Sequence, residues 1–295
     1  MDDRAPLTLI VPEVVGSAAD LLSRILGDGL AAALGRPVLY ENLFLEAGVG
    51  RAARAAPDGR TLLYGSSGNL ALLPHVKKVA FDPLRDFVPV ARFSIQPSLL
   101  AVNPALSALT LPELVALMKA QPGRLRMSTA GAGTSGHFAG ELFLAAAGVT
   151  AEIVHYAGGG PAIEAVVAND SQWTMAPIAG RLPHVHGGRL RALAVGSPQR
   201  LAALPAVPTI AEAGYAECDV VGWGGIFAPA GTPPATIERL HAAIAVVVAR
   251  AEVQRQFAAQ GVTGVTGVPA ELAQLLRDDF ARFGVLAGRL GLAAV

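Results

Sequence analysis

Thr134, Ser135 and His137 stand within four residues of one another, interleaved with Gly131, Gly133 and Gly136, in the stretch RMSTAGAGTSGHFAGE from Arg126 to Glu141. Two chemistries could use these residue types. A hydroxyl beside an imidazole could be a nucleophile and its base. Hydroxyls beside glycine amides could instead hold an anion. The spacing predicts a strand over 125–129 and a helix over 135–147, with the glycines at the turn between them. Glycine lets a backbone turn sharply and approach a guest closely. The first amides of the helix have no partner within it and carry the positive end of its dipole. Ala130, Gly131, Gly133, Thr134, Ser135 and His137 are therefore candidate ligand contacts. His137 could also serve only as a helix cap.

The catalytic reading meets two obstacles. Ser135 is not in a G-x-S-x-G elbow, because His137 occupies the last place. Residues adjacent on a helix turn also point to different sides, so Ser135 and His137 do not readily share a proton. No two carboxylates have acid–base spacing. The stretch also matches G-x-G-x-x-G, but the acid that would hold a ribose about 20 residues on is missing: Glu152 comes early, and His155-Tyr156 stands in its place. A nucleotide-binding or hydrolytic α/β enzyme using loop 130–137 thus stays as the alternative to a non-enzymatic binding protein.

The elements that must position this loop recur along the chain. Leu7 to Val11 predicts a strand and Ala18 to Leu34 a helix, with Ser17 as N-cap and Gly35 just past its end. Val38 to Glu41 and Thr61 to Tyr64 are further strands. Gly48 and Gly50 are assigned to a loop before a short helix near Arg51 to Ala56. The stretch 81–90 predicts irregular chain, and 88–92 and 98–102 two separate strands. Thr110-x-x-Glu113 and Thr209-x-x-Glu212 are capping boxes. Long helices are expected from Thr232 to Ala249 and from Leu272 to Leu290. This alternation predicts an α/β fold with mainly parallel sheets, whose ligands gather beyond the carboxyl ends of the strands. Three polar, glycine-flanked loops stand there: 12–18, 65–69 (with Ser66, Ser67 and Asn69) and 130–137.

Composition narrows the partners. The 295 residues carry no net charge, which points away from nucleic acid. The chain is 52% hydrophobic, yet its apolar runs are too short to span a bilayer. The single Cys218 rules out an internal disulfide and a cysteine zinc site. His75, His184 and His186 lack carboxylates at ligand spacing, so no metal and no cofactor are expected. Trp223 is expected in the core, and Tyr156 either lines the site or packs with a bonded hydroxyl. The opening MDDRAPLTLI carries no secretory leader, which fits a cytoplasmic protein or one whose signal peptide is absent from this sequence.

Five segments in order carry a family resemblance: Ala56 to Leu63 (APDGRTLL), Ala130 to Glu141 (AGAGTSGHFAGE), Leu190 to Val195 (LRALAV), Pro205 to Gly214 and Ala228 to Pro233. With them the chain resembles the Bug-type solute-binding receptors of tripartite tricarboxylate transporters. The resemblance implies a two-lobed, type II periplasmic binding-protein fold with a venus-flytrap cleft. Lobe one would be 1–102 plus 224–295 and lobe two 103–223, joined by two crossing strands. It implies a periplasmic receptor that captures a small organic carboxylate for membrane transporter subunits, as a monomer. The carboxylate would be held by amides of Val14, Val15, Gly16, Ser17 and Ala18, and the far end by loop 130–135 with His137, near Pro177. Two departures bear on specificity. The family's aromatic in the first loop is replaced here by Glu13, which would repel a carboxylate. The acid that often reads an amino group is replaced by Ala176, which argues against an amino-acid ligand and for an apolar or uncharged far end.

Overall fold

In the computed structural model, residues 5–218 and 220–292 are described. The outermost ends of the expected first lobe, 1–4 and 293–295, lie outside them. The chain runs β1 (Leu7–Val11), α1 (Ala18–Leu34), β2 (Val38–Asn42), α2 (Glu46–Ala53) and β3 (Thr61–Ser66). A π-helical segment (Ser67–Leu72) leads into α3 (Leu73–Val76), and β4 (Phe87–Val102) follows. Next come α4 (Leu111–Ala120), β5 (Arg126–Thr129), α5 (Ser135–Ala147), β6 (Glu152–His155), α6 (Gly159–Val167), β7 (Trp173–Pro177), α7 (Leu182–His186) and β8 (Arg191–Gly196). The last elements are β9 (Val221–Pro229), α8 (Pro234–Val248), α9 (Ala251–Ala259), β10 (Thr263–Gly267) and α10 (Pro269–Arg289).

Short-range signals set the helix ends. Ser17 Oγ accepts the Asp20 amide, and Gly35 closes α1 in the left-handed region at φ 64°. Thr134 and Gly148 do the same for α5. Several expectations need correction. The second helix begins at Glu46, so Gly48 and Gly50 lie inside it. Gly48 is there for space, since a Cβ would collide with the Leu43 carbonyl and Pro12. Residues 87–102 form one strand of 16 residues where two were expected. The Thr209–Glu212 box forms both its bonds (3.0 and 2.8 Å) but closes a turn, followed by a 3-10 turn at Ala216–Cys218 and no α-helix before β9.

The fold is α/β, but the pairing is mixed, not mainly parallel. β1 pairs parallel with β2 and β3, and β5 with β6 and β7. β3–β9, β4–β10, β4–β7 and β4–β8 are antiparallel.

Two compact units divide the chain. The first is Met1–Ile95, Trp223–Ala258 and Thr263–Val295; the second is Gln96–Gly222 and Ala259–Val262. Residues 96–102 therefore pack with the second unit. In the first unit, Trp223 is core, 2% exposed, and its Nε1 donates to Asp279 Oδ2 at 2.7 Å. Tyr64 meets Phe93 edge-on at 5.9 Å. In the second unit Phe143 meets Trp173 and Tyr215 edge-on, at 5.8 and 5.4 Å. Leu99, Ile163, Ile178, Leu182 and Val195 form another part of its core. These aromatic and aliphatic contacts hold the strands whose carboxyl ends carry the loops described next.

Candidate functional site

In the first unit, β1 and β3 are parallel neighbours in register from Thr8↔Thr61 to Ile10↔Leu63. The loop after β1, 12–17, and the π-helical turn that opens after β3, 66–69, therefore stand on one sheet edge. The loop after β1 is organised by the Asp20 carboxylate. It accepts the Gly16 amide at 2.9 Å, Arg24 Nε at 3.0 Å and Asn42 Nδ2 at 3.0 Å, while Asn42 Nδ2 also reaches the Glu13 carbonyl at 3.1 Å. Burial alone would raise the Asp20 carboxyl; Arg24, the Gly16 amide and Asn42 outweigh it and hold it below its ordinary value.

Several expected donors are thus already used. The Gly16 amide serves Asp20, the Ser17 amide donates to the Val14 carbonyl at 3.1 Å, and Ser17 Oγ caps the helix. The amides of Val14, Val15 and Ala18 have no protein acceptor among the described residues. Val15 is 70% exposed. Glu13 is half-buried with no cation beside it among the described residues, and burial pushes its carboxyl up to about 7. The expected loop 65–69 is instead the end of β3 and the first turn of the π-helical segment, where Ser66 as N-cap and Asn69 satisfy each other: the Ser66 amide donates to Asn69 Oδ1 at 2.8 Å, and the Asn69 amide to Ser66 Oγ at 3.2 Å. Ser67, buried beside them, makes no such bond.

In the second unit, β5, β6 and β7 are parallel, so Thr129, His155 and Pro177 end along one edge. Loop 130–134 turns there through Gly131 at φ 132° and Gly133 at φ 78°. Its own groups tie it together. The Gly131 amide donates to Thr129 Oγ1 at 3.3 Å, Thr134 Oγ1 to the Gly131 carbonyl at 2.8 Å, and the Gly133 amide to His137 Nδ1 at 3.3 Å. His137 is a half-buried brace, with Nε2 3.6 Å from Glu141 and its ring edge-on to His155 at 4.9 Å. Burial, and then His155, push the His137 imidazole down to about 4, so it is neutral at pH 7. With Nδ1 accepting from Gly133, it has no lone pair free for Ser135, and the nucleophile–base pairing is not made.

The groups left open are at the start of α5. Ser135 Oγ is half-buried and has no protein partner among the described residues; the Ser135 and Gly136 amides are first-turn donors. No acid lies in the first turn of α5 or of α6. Gly136 is required by close approach: an added Cβ would sit 3.0 Å from both Ala176 Cβ and the Met175 carbonyl. That contact places Ala176, and with it Pro177, against the first turn of α5. Tyr156 is accounted for by packing, its hydroxyl 3.2 Å from Ser171 Oγ.

Three further features received no site role from the sequence. The α6 amides of Gly159 and Gly160 open on the same edge, at the N-terminus of that helix. Thr129 Oγ1 and His155 Nδ1, 2.7 Å apart, support the loop. Arg181, four residues after Pro177, is 3% exposed; a charge so close to a strand end was the available signal. Among the described residues no group of three or more His, Cys, Asp or Glu is arranged to hold a metal.

Residues 22–292 match the profile TctC, tripartite tricarboxylate transporter family receptor. The chain is 34% identical to protein BugT of Bordetella pertussis over 286 residues, 94% of this chain and 87% of BugT. A solved R. palustris protein with adipate is 27% identical, with TM-score 0.94 over 99% of both chains. MatC of Rhodopseudomonas palustris with bound malate is 29% identical, with TM-score 0.89 over 96% of this chain and 98% of MatC. The fold is thus that of the periplasmic binding proteins of this group.

Proposed function

Since the chain belongs to the tripartite tricarboxylate transporter family of receptors, we propose that it captures a small organic carboxylate in the periplasm and delivers it to membrane transporter subunits. It is a solute-binding receptor of that family, not an enzyme. The observation that carries the choice of ligand is the start of α5: open amides, an unpartnered Ser135 hydroxyl and no acid in the first turn. Such a rim favours an anion by charge and by hydrogen bonding. The solved relatives with malate and adipate, both carboxylates, support the same class.

In this proposal the first-unit loop Val14–Ala18, with Ser66, Ser67 and Asn69 beside it on the sheet edge, takes one end of the guest. The second-unit residues Ala130, Gly131, Gly133, Thr134 and Ser135, with Pro177 near them and His137 as their brace, take the other. A guest bonded to loops of both units shifts the population toward the arrangement in which both loops reach it.

The test is a thermal-shift panel of mono-, di- and tricarboxylic acids, aromatic acids, amino acids and nucleotides. A ligand at about 100 times its Kd adds roughly 2.7 kcal/mol, which at this size raises Tm by about 5–10 °C. A response confined to carboxylates is expected. A response to NAD or ATP, or turnover of a bound acid, would overturn the reading.

A further inference from the structure

Arg181 is buried to 3% exposure, and its charge is unanswered. Nη1 donates to the Pro177 carbonyl at 3.0 Å, and Nε is fully buried without a hydrogen-bond partner. No Asp or Glu among the described residues pairs with it. Its titratable neighbour is His184, whose imidazole burial first, and then Arg189 and Arg181, hold below its ordinary value against the opposing pull of Glu164, so it offers no counter-charge. Removing a guanidinium from water without a counter-ion is costly, and proteins seldom keep one unless something pairs with it. Burial accordingly pulls its pKa down to about 10, which leaves it charged at neutral pH.

Its position says what could pair with it. The bond to Pro177 holds the guanidinium at the carboxyl end of β7. Ala176, the preceding residue, packs against Gly136 in the first turn of α5. The arginine, the open α5 amides and the Ser135 hydroxyl thus belong to one end of the second unit's sheet. Ala176 stands where an acid could have stood, and the carboxylate at that end, Glu141, faces His137 at 3.6 Å, so among the described residues none pairs with Arg181. A cation there favours a charged far end of the guest over the uncharged one expected.

We propose that Arg181 pairs with a second carboxylate of the guest, which makes the substrate class dicarboxylic and Arg181 its specificity-determining residue. The proposal rests on the receptor reading above and deepens it. A planar guanidinium with an unused Nε edge can bond a carboxylate through two parallel N–H groups.

The experiment is calorimetric titration of the protein with acids matched in length: adipate against hexanoate, succinate against butyrate. It is run on wild type, Arg181→Met and Arg181→Lys, with the Tm of each protein measured without ligand. Wild type should prefer each dicarboxylate to its monocarboxylate by at least tenfold. Arg181→Met should erase that preference while keeping monocarboxylate binding, and should be no less heat-stable than wild type, because it loses an unpaired buried charge. Arg181→Lys should retain part of the preference, having charge without the fork. Equal wild-type affinity for the two members of each pair overturns the proposal without any variant. So does an Arg181→Met protein that keeps the preference, or one that only loses Tm while the ratio stands, which would make the arginine a prop for Pro177. Binding of no carboxylate at all would instead sink the receptor reading itself, and the proposal with it.

Discussion

Glu13 is the residue whose titration should be felt most clearly. Its carboxyl is pushed from 4.5 to about 7 by burial, with no cation beside it. In the folded protein it therefore holds a proton between pH 4.5 and about 7 that the unfolded chain has already released. Stability is greatest below that window, falls as pH rises through it and levels off above it. At about 1.4 kcal/mol per pH unit the ceiling over that window is roughly 3.5 kcal/mol, and the loss falls short of it because Glu13 keeps part of its surface in water. Glu13→Gln matches the protonated form and does not titrate. Urea unfolding of both proteins at pH 5, 6, 7 and 8 isolates the effect, since every other group cancels in the difference. The variant's advantage should be under about 1 kcal/mol at pH 5 and grow to about 2–3 kcal/mol at pH 8, with an unchanged m-value. Carboxylate affinity should show the same sign, falling above pH 7 in wild type only. Two stability curves that run parallel from pH 5 to 8 would refute the argument and show the carboxyl to be solvated.

Three further outcomes are expected. Asp20→Asn should cost about 2 kcal/mol at pH 7, because the Gly16 amide, Arg24 and Asn42 lose an ionised acceptor. Its carboxyl lies below 3.8, so the deficit should persist down to that range and shrink beneath it, as followed by acid unfolding. Gly133→Ala forces a side chain to φ 78° at a cost of about 1–2 kcal/mol and unseats the His137 brace, so Tm and carboxylate affinity should both fall; Ser135→Ala should cost about 1 kcal/mol in binding and leave Tm alone. Cys218 is buried with its thiol pushed up to about 12, so a disulfide reagent at pH 8 should label the native protein only at its opening rate and the urea-unfolded chain at once.

The division between what was readable in the chain and what was not follows the range of the forces involved. Caps and turns act over three or four residues, so Ser17, Gly35, Thr134 and Gly148 mark α1 and α5 without help from the rest of the fold. Gly131 and Gly133 announced a turn for the same reason, and both adopt the positive φ that glycine tolerates. The family was carried by five short segments, and residues 22–292 bear the match. Strand pairing is a long-range matter. Nothing local says that Gly264 will lie beside Ser94 or Leu63 beside Phe227, and so β10 and the mixed sheet went unseen. The donors of the site divide in the same way. Sequence marked loops 12–18 and 130–137 as rich in amides and hydroxyls. Only the folded chain decides that the Gly16 and Gly133 amides are spent on Asp20 and His137 while Ser135 stays open. Arg181 is the sharpest case, because its charge is written in the sequence but its lack of a partner is a property of everything packed around it.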